Sequence, residues 1–235
     1  MYISGLQKLT LLDFPGHLAA IVFLDGCNFR CPFCQNRSLV LPSEEVPAID
    51  MEEFRKFLKK RSGILEGICV TGGEATLHKE LPEFLAMIRQ AGYLVKLDTN
   101  GTNPEMLQTL LEEGLLDYVA MDIKAGRSNY AAVAGIPSDS KLLEKVAQSV
   151  QLLLRSSIEY EFRTTVVGGL HTEEDFLDIS HWIQGCPHYY LQSFRDCDEI
   201  LMEHHPFFAF SDEEMKRFLE LVQKEIPQAE LRGIS

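Results

Sequence analysis

The feature that most constrains this chain is the alternation of short apolar segments with amphipathic helical segments. The apolar segments are predicted to be strands at residues 18–25, 68–70, 94–97, 118–121, 160–167 and 189–191. The helical segments that follow them lie at residues 50–62, 81–90, 104–113, 141–154, 173–184 and 211–225. This alternation is typical of βα units wound into a parallel sheet. Because six units are fewer than the eight of a closed TIM barrel, we predict an α/β fold with a partial, laterally open (β/α)6 barrel.

The length and the punctuation of the chain predict its domain organisation. The 235 residues are enough for one α/β domain with a sizeable core, and no linker or low-complexity tract interrupts them. We expect a single domain over residues 1–235, with its core at about 16–200 and a C-terminal helix at about 211–226. Residues 2–12 are expected to form a short strand or hairpin arm. Asp50, Ser140 and Ser211 are predicted helix N-caps.

Charge and hydropathy exclude several classes of protein. The net charge of −13 argues against a nucleic-acid partner, which would require a basic face. The apolar run at residues 18–24 is far too short to span a bilayer, so no membrane partner is expected. The first residues have no basic region followed by an apolar one, and a cytoplasmic location is therefore the default expectation.

Three cysteines lie in one short loop directly after the first predicted strand. They are Cys27, Cys31 and Cys34, with three and two residues between them. In a reducing compartment, such a cluster is more typical of metal binding or catalysis than of disulfides. Three thiolates can hold three irons of a [4Fe–4S] cluster and leave the fourth iron open for a substrate, whereas electron-transfer clusters normally use four cysteines. Cys69, Cys186 and Cys197 form no second motif, and Cys69 is expected in the core.

Unusual polar segments follow the other predicted strands. They are Thr71–Glu74, Asp98–Gly101, Asp122–Lys124 and Gln192–Arg195, while Arg163 lies within the fifth predicted strand. Because ligands of parallel sheets bind at the carboxyl ends of the strands, these segments are predicted to share one site. Plainer interpretations stay open at this point. Two glycines after a strand can be an ordinary turn, the aspartates can cap helices, and the arginines can form simple ion pairs.

The cysteine loop, together with Phe33 just before its last cysteine, resembles the signature of radical S-adenosylmethionine (SAM) enzymes. The segments Gly5–Lys8, Asp13–Gly16 and Gly26–Pro32 are similar to the activating proteins of anaerobic ribonucleoside-triphosphate reductase. This resemblance implies an oxidoreductase in which a [4Fe–4S] cluster on Cys27, Cys31 and Cys34 cleaves SAM reductively. The resulting 5′-deoxyadenosyl radical would take a hydrogen atom from a glycine of the reductase. The implied partners are that glycyl-radical subunit and a flavodoxin- or ferredoxin-type electron donor.

The resemblance also implies which residues contact SAM. Glu74 and nearby backbone carbonyls would take its ammonium, Phe33 would stack near the adenine, and Lys124 would reach the carboxylate. The full set of implied contacts is Phe33, Cys34, Gln35, Asn36, Gly72, Gly73, Glu74, Asp98, Asn100, Asp122, Lys124, Arg163 and Arg195.

Two further features follow from the resemblance. In the related pyruvate formate-lyase activating enzyme, positions that match Asp98, Thr99, Asp122 and the Ala120 carbonyl hold a monovalent cation, so a cation site is implied here. The family usually has proline after Gly-Gly-Glu, where this chain has Ala75, which puts the rigidity of that loop in question.

Other functions remain to be weighed against this one. A homologue that activates another glycyl-radical enzyme would have nearly the same sequence. A small-molecule enzyme that resembles 7-carboxy-7-deazaguanine synthase would share the barrel and the Gly-Gly-Glu segment, but the N-terminal segments argue against it. An iron–sulfur carrier is disfavoured by the three-cysteine loop.

Overall fold

The computed structural model describes residues 3–41 and 49–233. The strands within this part of the chain are β1 (Gly5–Thr10), β2 (Ala19–Leu24), β3 (Gly67–Gly72), β4 (Leu94–Thr99), β5 (Tyr118–Asp122), β6 (Glu159–Val166), β7 (Tyr189–Ser193) and β8 (Glu230–Arg232). The α-helices are α1 (Arg37–Val40), α2 (Met51–Arg61), α3 (Leu81–Gln90), α4 (Pro104–Glu112), α5 (Tyr130–Ala134), α6 (Leu142–Arg155), α7 (Glu173–Trp182) and α8 (Asp212–Val222). A 3₁₀ turn covers Ala75–Leu77. The cysteine loop is predicted from the sequence over residues 26–47, and its end, which includes Pro42 and Pro47, lies outside the described residues.

The strands follow one another from β1 to β8 in a sheet that is mostly parallel and not closed. The predicted α/β fold with an open parallel sheet is therefore confirmed. The six predicted strands correspond to β2–β7. The N-terminal segment is an arm, β1, that pairs antiparallel with β2. The prediction of only six strands missed β8, whose three residues are too few to show a periodicity.

The described residues separate into two compact units. The first comprises the chain up to Asn28, together with Ser38–Thr99 and Asn103–Ala120. The second comprises Phe29–Arg37, Asn100–Thr102 and the chain from Met121 onward. The expectation of a single domain stays a prediction.

In the first unit, parallel pairing aligns Leu24 at the end of β2 with Gly72 at the end of β3. Five of the six β2 residues are buried, as expected for a parallel strand that is covered on both faces. The predicted cap of α2 is confirmed, because the Asp50 carboxylate accepts a hydrogen bond of 2.7 Å from the Glu53 amide. Phe54 on the buried face of α2 packs against Phe84 of α3, with ring centroids 5.5 Å apart.

In the second unit, β6, β7 and β8 pair in parallel. Helices α7 and α8 pack against each other through Phe176 and Phe218, whose ring centroids lie 4.7 Å apart. Helix α8 begins with the predicted Ser211 cap, completed by Glu214 as a capping box. The Ser140 prediction is wrong by one residue. Helix α6 has Lys141 at its N-cap, while the Ser140 hydroxyl accepts from the Leu142 amide at 3.2 Å.

The short helices α1 and α5 were not predicted, because four or five residues cannot show a helical periodicity. Among the described residues, no helix combines the length and the apolar character that crossing a membrane would require.

Candidate active site

In the first unit, the end of β3 lies against the start of the cysteine loop. A Cβ atom on Gly72, where φ is +138°, would come within 2.0 Å of the Leu24 carbonyl oxygen. A Cβ atom on Gly73 would come within 2.1 Å of the Gly26 carbonyl oxygen and 3.2 Å of the Cys27 Cβ. Close backbone approach therefore requires both glycines. Their predicted contact with SAM stays a prediction.

Glu74 is buried at the end of this segment, with 1% of its surface exposed. Its Oε1 accepts hydrogen bonds from the Thr76 amide at 3.1 Å, the Thr76 hydroxyl at 2.5 Å and the Thr99 hydroxyl at 2.7 Å. Glu74 is also the N-cap of the 3₁₀ turn that contains the buried Ala75. This chain has Ala75 where the family usually has proline. The hydrogen bonds of Glu74 hold the loop in place without that proline.

Strand β4 carries a buried charge that the sequence analysis did not single out. Lys96 is 1% exposed, and its Nζ lies 2.8 Å from the Asp98 Oδ1. The two side chains lie on one face of β4, because residues two apart along a strand point the same way. The available signal was a lysine in the middle of an otherwise apolar strand. Neither Asp98 nor Asp122 caps the helix that follows it, because the N-cap residues of α4 and α5 are Asn103 and Asn129.

In the second unit, Cys31 and Cys34 lie on one turn, closed by a hydrogen bond of 3.0 Å from the Cys34 amide to the Cys31 carbonyl. Cys31 is buried and its thiol donates to the Ala134 carbonyl at 3.7 Å. The Arg30 amide donates to the same carbonyl at 3.0 Å. The C-terminal end of the short helix α5 thus anchors the cysteine loop.

Gly135, directly after α5, was missed by the sequence analysis. Its φ is +63°, and a Cβ atom would lie 2.0 Å from the Arg30 carbonyl oxygen. Only glycine permits both this left-handed backbone and this close approach to the cysteine loop. No helix was predicted before Gly135, so the sequence offered no cap signal for this glycine.

We expect Gly135→Ala to displace the cysteine loop, because the new Cβ would meet backbone that cannot rotate away. Iron bound per chain after anaerobic reconstitution should fall, and the protein should lose more than about 2 kcal/mol of unfolding free energy. The matched control is Gly114→Ala, since Gly114 has a φ of +62° and open space around the added atom. Equal losses of iron in the two variants would contradict this role.

The chain after Arg195 is tied to the cysteine loop, which the sequence analysis did not predict. The Leu201 amide donates to the Cys34 carbonyl at 2.9 Å, and the Met202 amide donates to the Pro32 carbonyl at 3.0 Å. The Gln35 side chain donates to the Arg195 carbonyl. These contacts are largely between backbone atoms, and backbone pairing leaves no mark in the residue types.

The other implied SAM contacts of the second unit differ in exposure. Phe33 is buried, while Gln35, Asn36 and Arg195 are exposed. Asn100 is buried, and its Oδ1 accepts from the amide and the hydroxyl of Thr102 at 3.0 and 2.7 Å. Their roles toward SAM stay predictions.

Asp122, Lys124 and Arg163 form one ionic group in the second unit. The Asp122 carboxylate lies 2.9 Å from the Lys124 Nζ and 3.0 Å from the Arg163 Nε. Burial alone would raise the pKa of Asp122, but the two cations outweigh it and lower this pKa to about 2. Burial would lower the pKa of Lys124, and Asp122 together with Cys31 raises it instead. Near neutral pH the group therefore carries two positive charges and one negative charge.

A buried layer holds the Asp122–Lys124 segment in place. The Thr164 hydroxyl donates to the Ile123 carbonyl at 2.7 Å. His171 accepts from the Val167 amide through Nδ1 at 3.0 Å, so its Nε2 carries the proton donated to the Lys124 carbonyl at 2.7 Å. Burial lowers the pKa of His171, which keeps this ring neutral. No pattern in the sequence indicated that His171 would bond to the Lys124 carbonyl, which lies 47 residues away in the chain.

The structure also permits a test of whether the cysteines fit a cluster. All six cysteines are described, and none lies in a disulfide. No three His, Cys, Asp or Glu side chains of the described residues are placed to hold one metal ion. A [4Fe–4S] cluster instead takes each thiolate at a different iron, and three reduced thiols within eight residues fit that requirement.

Two cysteines outside this loop are buried. Cys69 lies in the core within β3, as predicted, and burial raises the pKa of the Cys186 thiol to about 12.

Comparison with known proteins identifies the family. Residues 21–183 match the radical SAM superfamily. The chain belongs to that superfamily. A Methanocaldococcus jannaschii protein named as a glycyl-radical enzyme activating enzyme is 30% identical over 235 aligned positions, which cover 99% of this chain and 96% of the relative. This radical SAM protein is thus an enzyme of the family that activates glycyl-radical enzymes, and its cofactors are a [4Fe–4S] cluster and SAM.

Two other comparisons bear on fold and on function. The 7-carboxy-7-deazaguanine synthase of Aquifex aeolicus is 36% identical to this radical SAM protein over 86 residues, which cover 36% of each chain. The crystal structure of a radical SAM methyltransferase from Sphaerobacter thermophilus superposes with a TM-score of 0.72 and 15% identity, covering 95% of this chain and 68% of that one. At that identity the second comparison supports the fold alone.

Proposed function

We propose that this activating enzyme generates a glycyl radical on the glycyl-radical subunit of an anaerobic ribonucleoside-triphosphate reductase. The observation that carries the proposal is the similarity along 99% of the chain to a protein named as a glycyl-radical enzyme activating enzyme. This choice of partner is supported by three N-terminal segments that resemble reductase-activating proteins, namely Gly5–Lys8, Asp13–Gly16 and Gly26–Pro32. A cytoplasmic location and a flavodoxin- or ferredoxin-type electron donor belong to the same proposal.

In this proposal Cys27, Cys31 and Cys34 hold the [4Fe–4S] cluster. When bound, the cluster supplies the electron that cleaves SAM into methionine and a 5′-deoxyadenosyl radical. The protein orients SAM and keeps water away from the radical. The segments that anchor the cysteine loop would fix the position of the cluster, since they hold its backbone through hydrogen bonds to Arg30, Pro32 and Cys34.

The ionic group of the second unit suits the carboxylate of SAM. Lys124 and Arg163 together outweigh the single charge of Asp122, so the group carries net positive charge and favours an anion. The ammonium of SAM would face Glu74, Asp98 and the backbone carbonyls of Gly72 and Gly73. The remaining contacts are proposed at Phe33, Gln35, Asn36, Asn100 and Arg195.

Electron paramagnetic resonance of the anaerobically reconstituted and reduced protein tests SAM binding. We expect a [4Fe–4S]⁺ signal whose shape changes when SAM is added, because SAM would occupy the iron that no cysteine holds. The same sample without SAM is the control. A signal that SAM leaves unchanged would contradict the proposed use of the open iron.

The partner is tested separately. The reduced enzyme and SAM, mixed with the reductase subunit, should produce a glycyl radical signal in that subunit. A reductase variant with alanine at the radical-bearing glycine is the control and should give none. Failure with the reductase, combined with success on another glycyl-radical enzyme, would reject the partner and retain the activase.

A small-molecule radical SAM enzyme is the second candidate function. The similarity to 7-carboxy-7-deazaguanine synthase over 86 residues favours it, although that match covers 36% of the chain. SAM cleavage stimulated by a pterin-like substrate, with no protein partner present, would support this function over the activase.

A further inference from the structure

Lys96 is a buried charge to which the proposed chemistry gives no role. It lies in the middle of β4, between the buried residues Val95 and Leu97, and only 1% of its surface is exposed. An ammonium in such a place is costly unless an anion and further polar or aromatic groups compensate for the lost water. A buried lysine there therefore requires a compensating partner.

That partner is Asp98, one of the residues implied as a ligand of a monovalent cation. The Asp98 Oδ1 lies 2.8 Å from the Lys96 Nζ, and the Asp98 side chain is 16% exposed. The ring of Tyr118 lies below the same ammonium, with 5.8 Å from Nζ to the ring centroid, which is within the range of a cation–π contact. Lys96 thus already places a full positive charge on the carboxylate that a metal ion would neutralise.

Asp122, the second carboxylate implied as a ligand of the metal ion, also forms ion pairs with side chains of the protein. Lys124 and Arg163 lie 2.9 and 3.0 Å from Asp122. A metal ion at either aspartate would stand beside a side-chain cation, and the like charges would repel each other. The chain's own residues therefore do not fit a site that must attract a monovalent metal ion.

We propose that the Lys96 ammonium serves as a built-in cation, neutralising Asp98 in place of a monovalent metal ion. SAM binding by this enzyme would then need neither sodium nor potassium. This inference rests on the proposed function for its link to SAM. Lys96 is a positioning residue, because it acts through Asp98.

The test measures SAM affinity of the reconstituted enzyme in potassium, sodium or tetramethylammonium chloride at one ionic strength. The wild-type dissociation constant should agree within about twofold in the three salts, because the compensating charge is part of the chain. In Lys96→Met the affinity should fall about tenfold or more in tetramethylammonium, and potassium or sodium should restore most of it. Lys96→Arg keeps the charge and should stay independent of the salt. Lys56→Met removes an exposed lysine of α2 and should behave as wild type.

A second measurement needs no SAM. The unfolding midpoint of the protein should be the same in the three salts for wild type, whereas Lys96→Met should be stabilised by potassium or sodium. A wild-type enzyme whose SAM affinity or unfolding midpoint depends on sodium or potassium would overturn the inference. So would a folded Lys96→Met that shows no response to these ions. Absence of SAM binding in every salt would reject the proposed function, while the unfolding midpoints would still decide the role of Lys96.

Discussion

Cys31→Ala is expected to abolish the iron–sulfur cluster and, with it, the cleavage of SAM. With two thiolates left, a second iron would lose its protein ligand, and the loop could not retain the cluster. The rate of methionine release should fall by more than about 100-fold, since loss of a ligand exceeds the loss caused by residues that merely orient ligands. Iron and sulfide content, the [4Fe–4S]⁺ signal and methionine release measure the effect.

The matched control is Cys197→Ala. Cys197 is exposed and follows β7, outside the three-cysteine loop. Its loss should leave iron content and methionine release unchanged. A Cys31→Ala variant that keeps a full complement of iron, or a Cys197→Ala variant that loses it, would show that the cluster is held elsewhere.

Arg232→Ala is expected to give a large loss of stability while leaving the cysteines intact. The Arg232 guanidinium makes two hydrogen bonds, of 2.9 and 2.8 Å, with the Glu161 carboxylate, which is 1% exposed. It also lies 3.3 Å from the centroid of the Tyr190 ring. Removing the arginine leaves a buried carboxylate without its main counter-charge, which costs about 3 kcal/mol of unfolding free energy. Urea unfolding measures the loss.

Two controls separate this effect from a general loss of charge. Arg217→Ala breaks an exposed ion pair with Glu173 and should cost less than about 1 kcal/mol. In the double variant Arg232→Ala, Glu161→Gln, part of the loss should return, because the buried carboxylate is gone. Equal losses in Arg232→Ala and Arg217→Ala, or no recovery in the double variant, would contradict the buried-charge explanation.

The last strand also connects to the group that is proposed to bind SAM. Arg232 pairs with Glu161, whose Oε1 lies 3.9 Å from the Arg163 Nη1, and Arg163 in turn pairs with Asp122. Arg232 of β8 and Arg163 of β6 therefore share the charge of the Glu161 carboxylate. Without Arg232, Glu161 would compete with Asp122 for Arg163. Strand β8 thus supports a proposed SAM-binding arginine although it contributes no predicted contact of its own.

Several features of this protein could be predicted from the sequence because they depend on local patterns. The βα alternation predicted β2–β7 and the open parallel sheet, since periodicity and helix caps act within a few residues. The cysteine spacing predicted the superfamily, because three thiols on one short loop are a local pattern of the sequence. Ser211 and Asp50 were recognisable as caps for the same local reason.

The tertiary structure decided what depends on residues far apart in the chain. Gly135 meets Arg30 across 105 positions, and Arg232 meets Glu161 across 71, so no local pattern could reveal either contact. The amides of Leu201 and Met202 reach the cysteine loop through backbone atoms, which every residue type possesses. Lys96 was visible in the sequence as a lysine in an apolar strand, but only the tertiary structure shows that it is buried with its Nζ 2.8 Å from the Asp98 carboxylate. Local pattern thus determined the fold class and the cysteine loop, while packing determined which charges and which backbone groups surround them.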